Sequence, residues 1–383
     1  MSDVFLLKDV IAYSTARTPI SSVNKCNYIT TDNILPNKTG VMKAVGLPAQ
    51  DGNIPAYQKE NILVANIRPY LKKIWFADKD GGCSADVLVL TVNKEFDPKF
   101  VYYTVFRDDF FIHVMNGSKG TKMPRGDKNQ ILDFTVPKFS KIEQQKIASV
   151  LSTLDKKIEL NNRINRELEL MAKTLYDYWF VQFDFPTPAG ENQGKPYKSA
   201  GGKMLYNATL KREIPEGWEV LYINDIIEVK DGTHDSPKAT EEGEHHLITS
   251  KNLKVEGLDF DNANLISSKD YNNINKRSQV ETGDILFSMI GNIGTIYKVE
   301  EKSIKFAIKN VALYKSSQKL SYKNYLYMYL NSYDMKNYMG NVISGSIQKF
   351  IGLTALRNMP VLIDDKTILK FTNTSKHILK KQT

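Results

Sequence analysis

EQQKIASVLSTLDKKIELNNRINRELELMAKTLYDYWFVQFDFP, residues Glu143–Pro186, is the stretch on which the fold turns. From Ser140 to Gln182 there is no glycine and no proline, and most side chains are strong helix formers. Apolar residues fall at Ile147, Leu151, Leu154 and Ile158 and resume at Leu168, Ala172 and Leu175, with Asn161 and Asn165 on the same line. Steps of four and three alternate, a heptad seam that asks for a partner helix rather than a broad core. About forty residues at a rise of 1.5 Å make a rod of about 60 Å. Asparagines in such a seam set register and partner number at some cost in stability. The alternative is that both face solvent at a local break; the regular flanking steps favour register. The helix ends in Tyr176, Tyr178, Trp179, Phe180, Phe183 and Phe185 before Pro186 stops it. Those aromatics suit a satellite core packing the rod end onto a domain, or an anchor for a partner protein. Trp179 and Phe180 join the seam as the candidate partner interface.

The sequence on one side of the rod answers the sequence on the other. LLKDVI (Leu6–Ile11) matches YINDII (Tyr222–Ile227), and Glu60–Val64 matches Gly283–Phe287. Gly120-Thr121-Lys122-Met123 answers Gly345-Ser346-Ile347-Gln348, and FTVPKF (Phe134–Phe139) answers NMPVLI (Asn358–Ile363). Matches kept in order across a chain mark a duplication, and each copy, of about 140 residues, has an ordinary domain size. Within each copy, short runs rich in Val, Ile, Tyr and Phe, such as Asp86–Val92, Asp284–Ile290 and Thr295–Val299, are bounded by Gly, Asn and Asp. Amphipathic helices are expected over Phe100–Met115 and Tyr322–Met339. The fold class is therefore α+β: two similar domains separated by a long central coiled-coil helix. The expected division is 1–139, first domain; 140–185, central helix; 186–215, a Gly/Pro/Lys-rich linker; 216–363, second domain; 364–383, a short helical end.

The 383 residues are 42% apolar and 25% charged, too apolar for wholesale disorder. No apolar run is long enough to span a membrane, and the start, MSDVFLLKDV, lacks the pattern of a secretory leader. Two cysteines, Cys26 and Cys83, neither staple the chain nor make a metal knuckle, so a reducing, cytoplasmic setting is expected. The formal charge is +9, while residues 139–185 carry seven basic and seven acidic side chains, so the surplus lies outside the rod. That balance allows nucleic-acid binding without demanding it.

Motifs for chemistry are sparse. Asp284 with Glu300-Glu301-Lys302 has the outline of a Mg²⁺-dependent nuclease set, but Asn61 stands at the matching place in the first copy. Gly291-Asn292-Ile293-Gly294 and Gly117-Ser118-Lys119-Gly120 resemble clamping loops and are equally tight turns. There is no phosphate-binding loop and no Asn/Asp-Pro-Pro-aromatic signature, and His113, His234, His245, His246 and His377 lack metal-ligand spacing. No catalytic and no metal residue is assigned. The chain reads as a reader.

Two reading domains on a rod suit a bipartite DNA site, whose bases are read by Arg or Lys for guanine and by Asn or Gln for adenine. The first domain offers Arg68, Lys72, Lys73, Lys119, Lys122, Arg125 and Lys128. The second offers Lys230, His234, Lys238, Lys251, Asn252, Lys276, Arg277, Gln348 and Lys349.

Glu143–Pro186 closely resembles the central conserved region of type I restriction–modification specificity subunits. IPEGWEV (Ile214–Val220) and DGTHDSPKATEEGEHHLITSKNL (Asp231–Leu253) resemble a recurrent opening of their target-recognition domains. The resemblance implies a non-catalytic subunit with two target-recognition domains on double-stranded DNA, each reading half of a bipartite site. It implies a spacer that sets the gap and docks two methyltransferase subunits, which carry S-adenosylmethionine. Motor–nuclease subunits using ATP and Mg²⁺ join the assembled complex, and this chain itself binds no cofactor and no membrane. In the family a second conserved helical region packs antiparallel on the first. Here only 364–383 stands in its place, a short C-terminal helix with which the long central helix would form the coiled coil, with Ile368, Leu369, Phe371, Ile378 and Leu379 apolar and Thr372, Thr374 and Ser375 weakening its helix. A short or truncated distal helix would leave Asn161 and Asn165 facing a methyltransferase subunit or a second copy. Two other readings of the residues are an interaction scaffold with paired binding domains and a self-contained Mg²⁺-dependent nuclease.

Overall fold

The computed structural model describes residues 4–49, 52–187, 190, 193–254, 257–343 and 349–379. It divides into two compact units, Met1–Asn161 and Asn162–Thr383. The first is built on an antiparallel sheet in the spatial order Ile11–Tyr13, Val87–Val92, Ile62–Ala65, Ile74–Phe76. The second repeats that order with Val229–Asp231, Val311–Tyr314, Ile285–Ser288, Ile296–Lys298. Each central strand is a run of apolar residues buried on both faces, Ile62, Leu63 and Val64 in one unit and Ile285, Leu286 and Phe287 in the other. A second sheet in each unit contains one parallel pair: Tyr28–Ile29 with Gly81–Cys83, and His245–Thr249 with Phe306–Lys309.

The duplication extends to hydrogen bonds. The opening strand of each unit pairs with its closing strand, Val4–Leu6 with Thr135–Pro137 and Glu219–Tyr222 with Pro360–Ile363. One helical turn follows, where Asp9 accepts from the Leu6 amide at 3.3 Å and Asp225 from the Tyr222 amide at 3.1 Å. Such a bond satisfies a helix-start amide that would otherwise lack a partner. A match missed in the sequence is Thr30-Thr31-Asp32-Asn33 with Thr249-Ser250-Lys251-Asn252. In both, the asparagine Oδ1 accepts from the threonine amide, at 2.6 and 3.0 Å. The two helical stretches expected as single elements are each broken, into Pro98–Val105 and Asp108–Asn116 and into Lys323–Leu330 and Tyr333–Val342. The break has a local cause: Arg107 and Ser332 are extended, and the Ser332 hydroxyl caps a new helix by accepting from the Met335 amide at 3.2 Å.

The central helix runs unbroken over Lys141–Tyr176 and opens with a reciprocal cap. Ser140 donates its amide to the Glu143 carboxylate at 2.8 Å while its hydroxyl oxygen accepts from the Glu143 amide at 3.4 Å, the capping-box arrangement. Its first turns belong to the first unit. Ala148 lies in that unit's core, and buried Gln144 accepts from the Asp97 amide at 2.9 Å and donates to the Phe139 carbonyl at 2.9 Å. Its last turns belong to the second unit, whose core contains Ala172, Tyr176, Trp179 and Phe180. Between these ends the seam is open: Leu154 is 51% and Ile158 58% exposed, Asn161 is exposed, and Asn165 and Leu168 are half-exposed.

The C-terminal helix, Asp365–Leu379, packs on Lys323–Leu330 and meets the end of the long helix through ring contacts. Phe371 lies 6.2, 5.8 and 5.2 Å from the rings of Tyr176, Trp179 and Phe180. Fifteen residues span about 22 Å, so a helix rooted there is too short to follow the seam. Thr372 donates to the Ser321 carbonyl at 2.6 Å and Ser375 meets Asn324 at 3.1 Å, so tertiary bonds offset weak intrinsic propensity. Trp179 and Phe180, expected at a partner interface, are corrected by this packing: both are interior residues of the second unit, at 4% and 2% exposure. The expected linker contributes structure over 193–215, with a hairpin of Met204–Asn207 on Arg212–Pro215 and Tyr197, like Trp218 just beyond it, stacked on Phe185.

Truncating Phe371 to alanine removes one ring from this aromatic cluster. The second unit is expected to lose about 3–5 kcal/mol of stability in urea denaturation, while a fluorescence transition from Trp75 in the first unit is unmoved.

Candidate nucleic-acid interface

In the first unit the expected cations gather on two loops zipped together by backbone. Ile67 and Arg125 form a bridge, as do Lys119 and Arg125, and the Arg68 amide donates to the Pro124 carbonyl at 2.8 Å. Arg68, Lys119, Lys122 and Arg125 are thereby brought to one exposed surface. Arg125 pairs with Asp86 at 3.0 Å and Lys119 with Asp127 at 3.5 Å. Asp127 also caps Lys128–Ile131, placing the Lys128 ammonium over the Tyr13 ring at 5.9 Å. Lys72 reaches Asp108 at 2.9 Å; with Lys38, whose bond is the stronger cause, it holds that carboxyl down at about 2. Lys73 is turned inward and donates to the Thr31 carbonyl, so its charge serves the scaffold.

In the second unit a buried carboxylate organises the surface. Asp231 ends the strand Val229–Asp231 and is only 5% exposed. It accepts from the Arg277 guanidinium and stands 2.9 Å from His234 Nε2, while His234 Nδ1 lies 3.0 Å from the Asn310 side-chain oxygen Oδ1. Both heads project to solvent from one buried anchor. The next residue must be small: a Cβ on Gly232 would lie 2.3 Å from the Ile308 carbonyl oxygen. Arg277 arrives from the last turn of Ser268–Ser278.

Beside this cluster opens a polar cavity of about 630 Å³ lined by Lys251, Asn262, Asn264, Asn292 and Asn310. Asn252 lies against it but is corrected as a reader. It is 4% exposed, with Oδ1 holding the Thr249 amide and hydroxyl and Nδ2 donating to the Asp259 carbonyl at 3.1 Å. With its oxygen doubly engaged and its side chain buried, it cannot make the paired donor and acceptor contact that reads an adenine. Lys230 pairs with Glu228 at 2.9 Å; Lys238, Lys276 and Lys349 are exposed; Gln348 lies outside the described residues. Asp231 and Asn310 were missed in the sequence, and Asn292 was weighed there only as part of a Gly291–Gly294 clamping loop or tight turn. Asp231 had a signal, the DGTH run, whereas Asn310 is recognisable only from its left-handed backbone, φ 53°, between two strands.

The nuclease outline dissolves into scaffold. Asp284 is fully buried, accepts from the Glu281 amide at 2.8 Å and the Ser317 amide at 3.2 Å, and pairs with Lys315 at 2.7 Å. Asn61 holds the matching turn, accepting from the Gln58 amide at 2.8 Å. Glu300 lies between Lys298 at 3.0 Å and Lys323 at 2.9 Å. Burial pushes its carboxyl up, but the two ammonium groups outweigh that and hold it below the usual range. Among the described residues no group of three or more His, Cys, Asp or Glu is placed to hold a metal, and no helix is long and apolar enough to cross a membrane. Burial pushes the Cys83 thiol up to about 12, which leaves it unreactive at neutral pH.

The sequence profile described as "Type I restriction modification DNA specificity domain" matches the chain twice, over residues 2–170 and 215–371. The type I restriction enzyme MjaIX specificity subunit of Methanocaldococcus jannaschii is 27% identical over 281 residues, 71% of this chain and 60% of that protein. The HindI specificity subunit of Haemophilus influenzae is 28% identical over 190 residues, 47% of this chain and 41% of that protein. The chain thus spans about three fifths or less of the length of these two relatives. In fold, the crystal structure of a type I restriction–modification S subunit from M. genitalium aligns with 99% of this chain and 91% of that one. The TM-score is 0.53 and the identity 16%.

If Asp284 is a turn residue, its replacements rank by what they leave of the turn. Asp284→Ala removes the turn bonds and one of the two carboxylates on Lys315, Glu281 staying at 2.7 Å, and is expected to cost about 2 kcal/mol in urea denaturation; Asp284→Asn, which copies Asn61, keeps the turn bond and costs less. Equal losses would show that the turn bond contributes nothing.

Proposed function

Since the chain belongs to the type I restriction–modification DNA specificity family, we propose that it is the non-catalytic subunit that gives such a system its DNA address. The observation that carries this is the double family match over two units whose central sheets have one strand order. Each unit reads one half of a bipartite site in double-stranded DNA. Phosphate contacts from lysines such as Lys119, Lys122, Lys251 and Lys349 fix position, and a smaller set of side chains reads base edges. The open seam of the long helix, Leu154 to Leu168, docks two methyltransferase subunits and sets the number of base pairs between half-sites. S-adenosylmethionine belongs to those methyltransferase subunits, and ATP and Mg²⁺ to motor–nuclease subunits of the assembled, cytoplasmic complex. The roles that the buried Asp284 and ion-paired Glu300 have in the scaffold give the nuclease alternative no footing.

Co-expression with a methyltransferase subunit, followed by genome-wide mapping of methylated adenines, is expected to return one motif in two parts with a fixed gap. A single continuous motif, or none, contradicts the reading, and so does DNA binding that is insensitive to salt. The helix is tested separately. Removing seven residues, about two turns, from Leu151 to Lys157 is expected to shorten the gap while both half-sites stay as they were.

A further inference from the structure

After its central strand each unit carries one loop, tied in the same way. In the first unit the Ala65 amide donates to the Lys73 carbonyl at 3.1 Å; in the second the Ser288 amide donates to the Thr295 carbonyl at 2.9 Å. The outer side of each loop is also tied alike. Ile67 bridges Arg125, with the Gly126 amide on the Asn66 carbonyl at 3.1 Å; Ile290 bridges Phe350, with the Ile351 amide on the Met289 carbonyl at 3.0 Å. Two residues in each loop take left-handed backbone. In the second unit they are glycines, Gly291 at φ 74° and Gly294 at φ 88°. In the first they are Arg68 at φ 53° and Lys72 at φ 51°.

Glycine adopts that conformation freely, whereas a Cβ there meets steric resistance. One copy of the loop therefore relieves the strain and the other retains it. Strained residues that persist point to a use for their side chains. Lys72 has a structural use, its ion pair with Asp108. Arg68 has none: its guanidinium is exposed and, among the described residues, has neither an ion pair nor a hydrogen bond. Its neighbours Arg125 and Lys119 are already engaged by carboxylates. At the matching place in the second unit there is no cation. Asn292 stands at the tip, on a cavity shared with Asn262, Asn264 and Asn310.

Building on the DNA-reading assignment above, we propose that this loop is the base-reading element of both units and that the two loops read different bases. Arg68 reads a guanine through its planar fork on O6 and N7. Asn292 reads an adenine, donating to N7 and accepting from the N6 amino group.

The test uses the complex with methyltransferase subunits and maps methylated motifs for Arg68→Lys, Arg68→Gly and Asn292→Ala. Arg68→Lys keeps the charge and loses the fork; it is expected to relax one guanine position in one half-site by about tenfold, leaving the other half-site unchanged. Arg68→Gly relieves the backbone and is expected to melt no lower than the unsubstituted chain while relaxing the same position. Asn292→Ala is expected to relax one adenine position in the other half-site only. If the unsubstituted complex returns a bipartite motif and the variants leave every position specified, this proposal fails and the DNA-reading assignment stands. Uniformly weaker methylation with an unchanged motif also overturns it, because that is the signature of a phosphate contact. If the unsubstituted complex returns no bipartite motif, the underlying assignment fails instead.

Discussion

A single helix whose two ends are buried in two different hydrophobic cores is the constraint on which the rest depends. Gln144 and Ala148 are committed to the first unit, and Ala172, Tyr176, Trp179 and Phe180 to the second. Neither end can fray or shift register without opening a core, and overpacking or cavity formation there costs several kcal/mol. The seam between the ends is relieved of any duty to those cores. That is why it tolerates exposed leucine and isoleucine beside charged residues, and why a partner is the natural claimant on it.

The two units show how one scaffold is made to differ. Backbone hydrogen bonds, the side-chain bonds of Asn61 and Asp284, and the Thr-x-x-Asn turns are held in common. What differs is chemistry in the loops. The first unit presents cations on a zipped loop pair, several already balanced by Asp86, Asp108 and Asp127. The second presents asparagines round a cavity and two heads steered by one buried aspartate. Binding surfaces carried on loops over a rigid sheet can diverge without disturbing the core.

Much of this organisation was legible. Order-preserving matches such as Leu6–Ile11 with Tyr222–Ile227 are visible because a repeated fold demands apolar residues and turn carboxylates at repeated places. The helix was visible because forty residues without glycine or proline have few other options. Single residues were read less well. Asn252 looks like a base reader and is a turn peg; Trp179 looks like an anchor and is core; Asp284 looks like a metal ligand and is held by Lys315. In each case the residue type was suited to the expected role, and only its neighbours in space show that it is occupied.

Periodicity, duplication and composition thus determined the architecture by themselves: two α+β copies and a long helix, with catalytic machinery nowhere in the pattern. These are properties of local propensity and burial, which are written along the chain. Tertiary structure alone decided which polar side chains remain available. Arg125 and Lys119 are engaged by Asp86 and Asp127 while Arg68 beside them is not, and Asn252 is spent on its own turn while Asn292 stands exposed. Availability is a matter of which hydrogen bonds and charges are already satisfied, and that account closes only when distant segments meet.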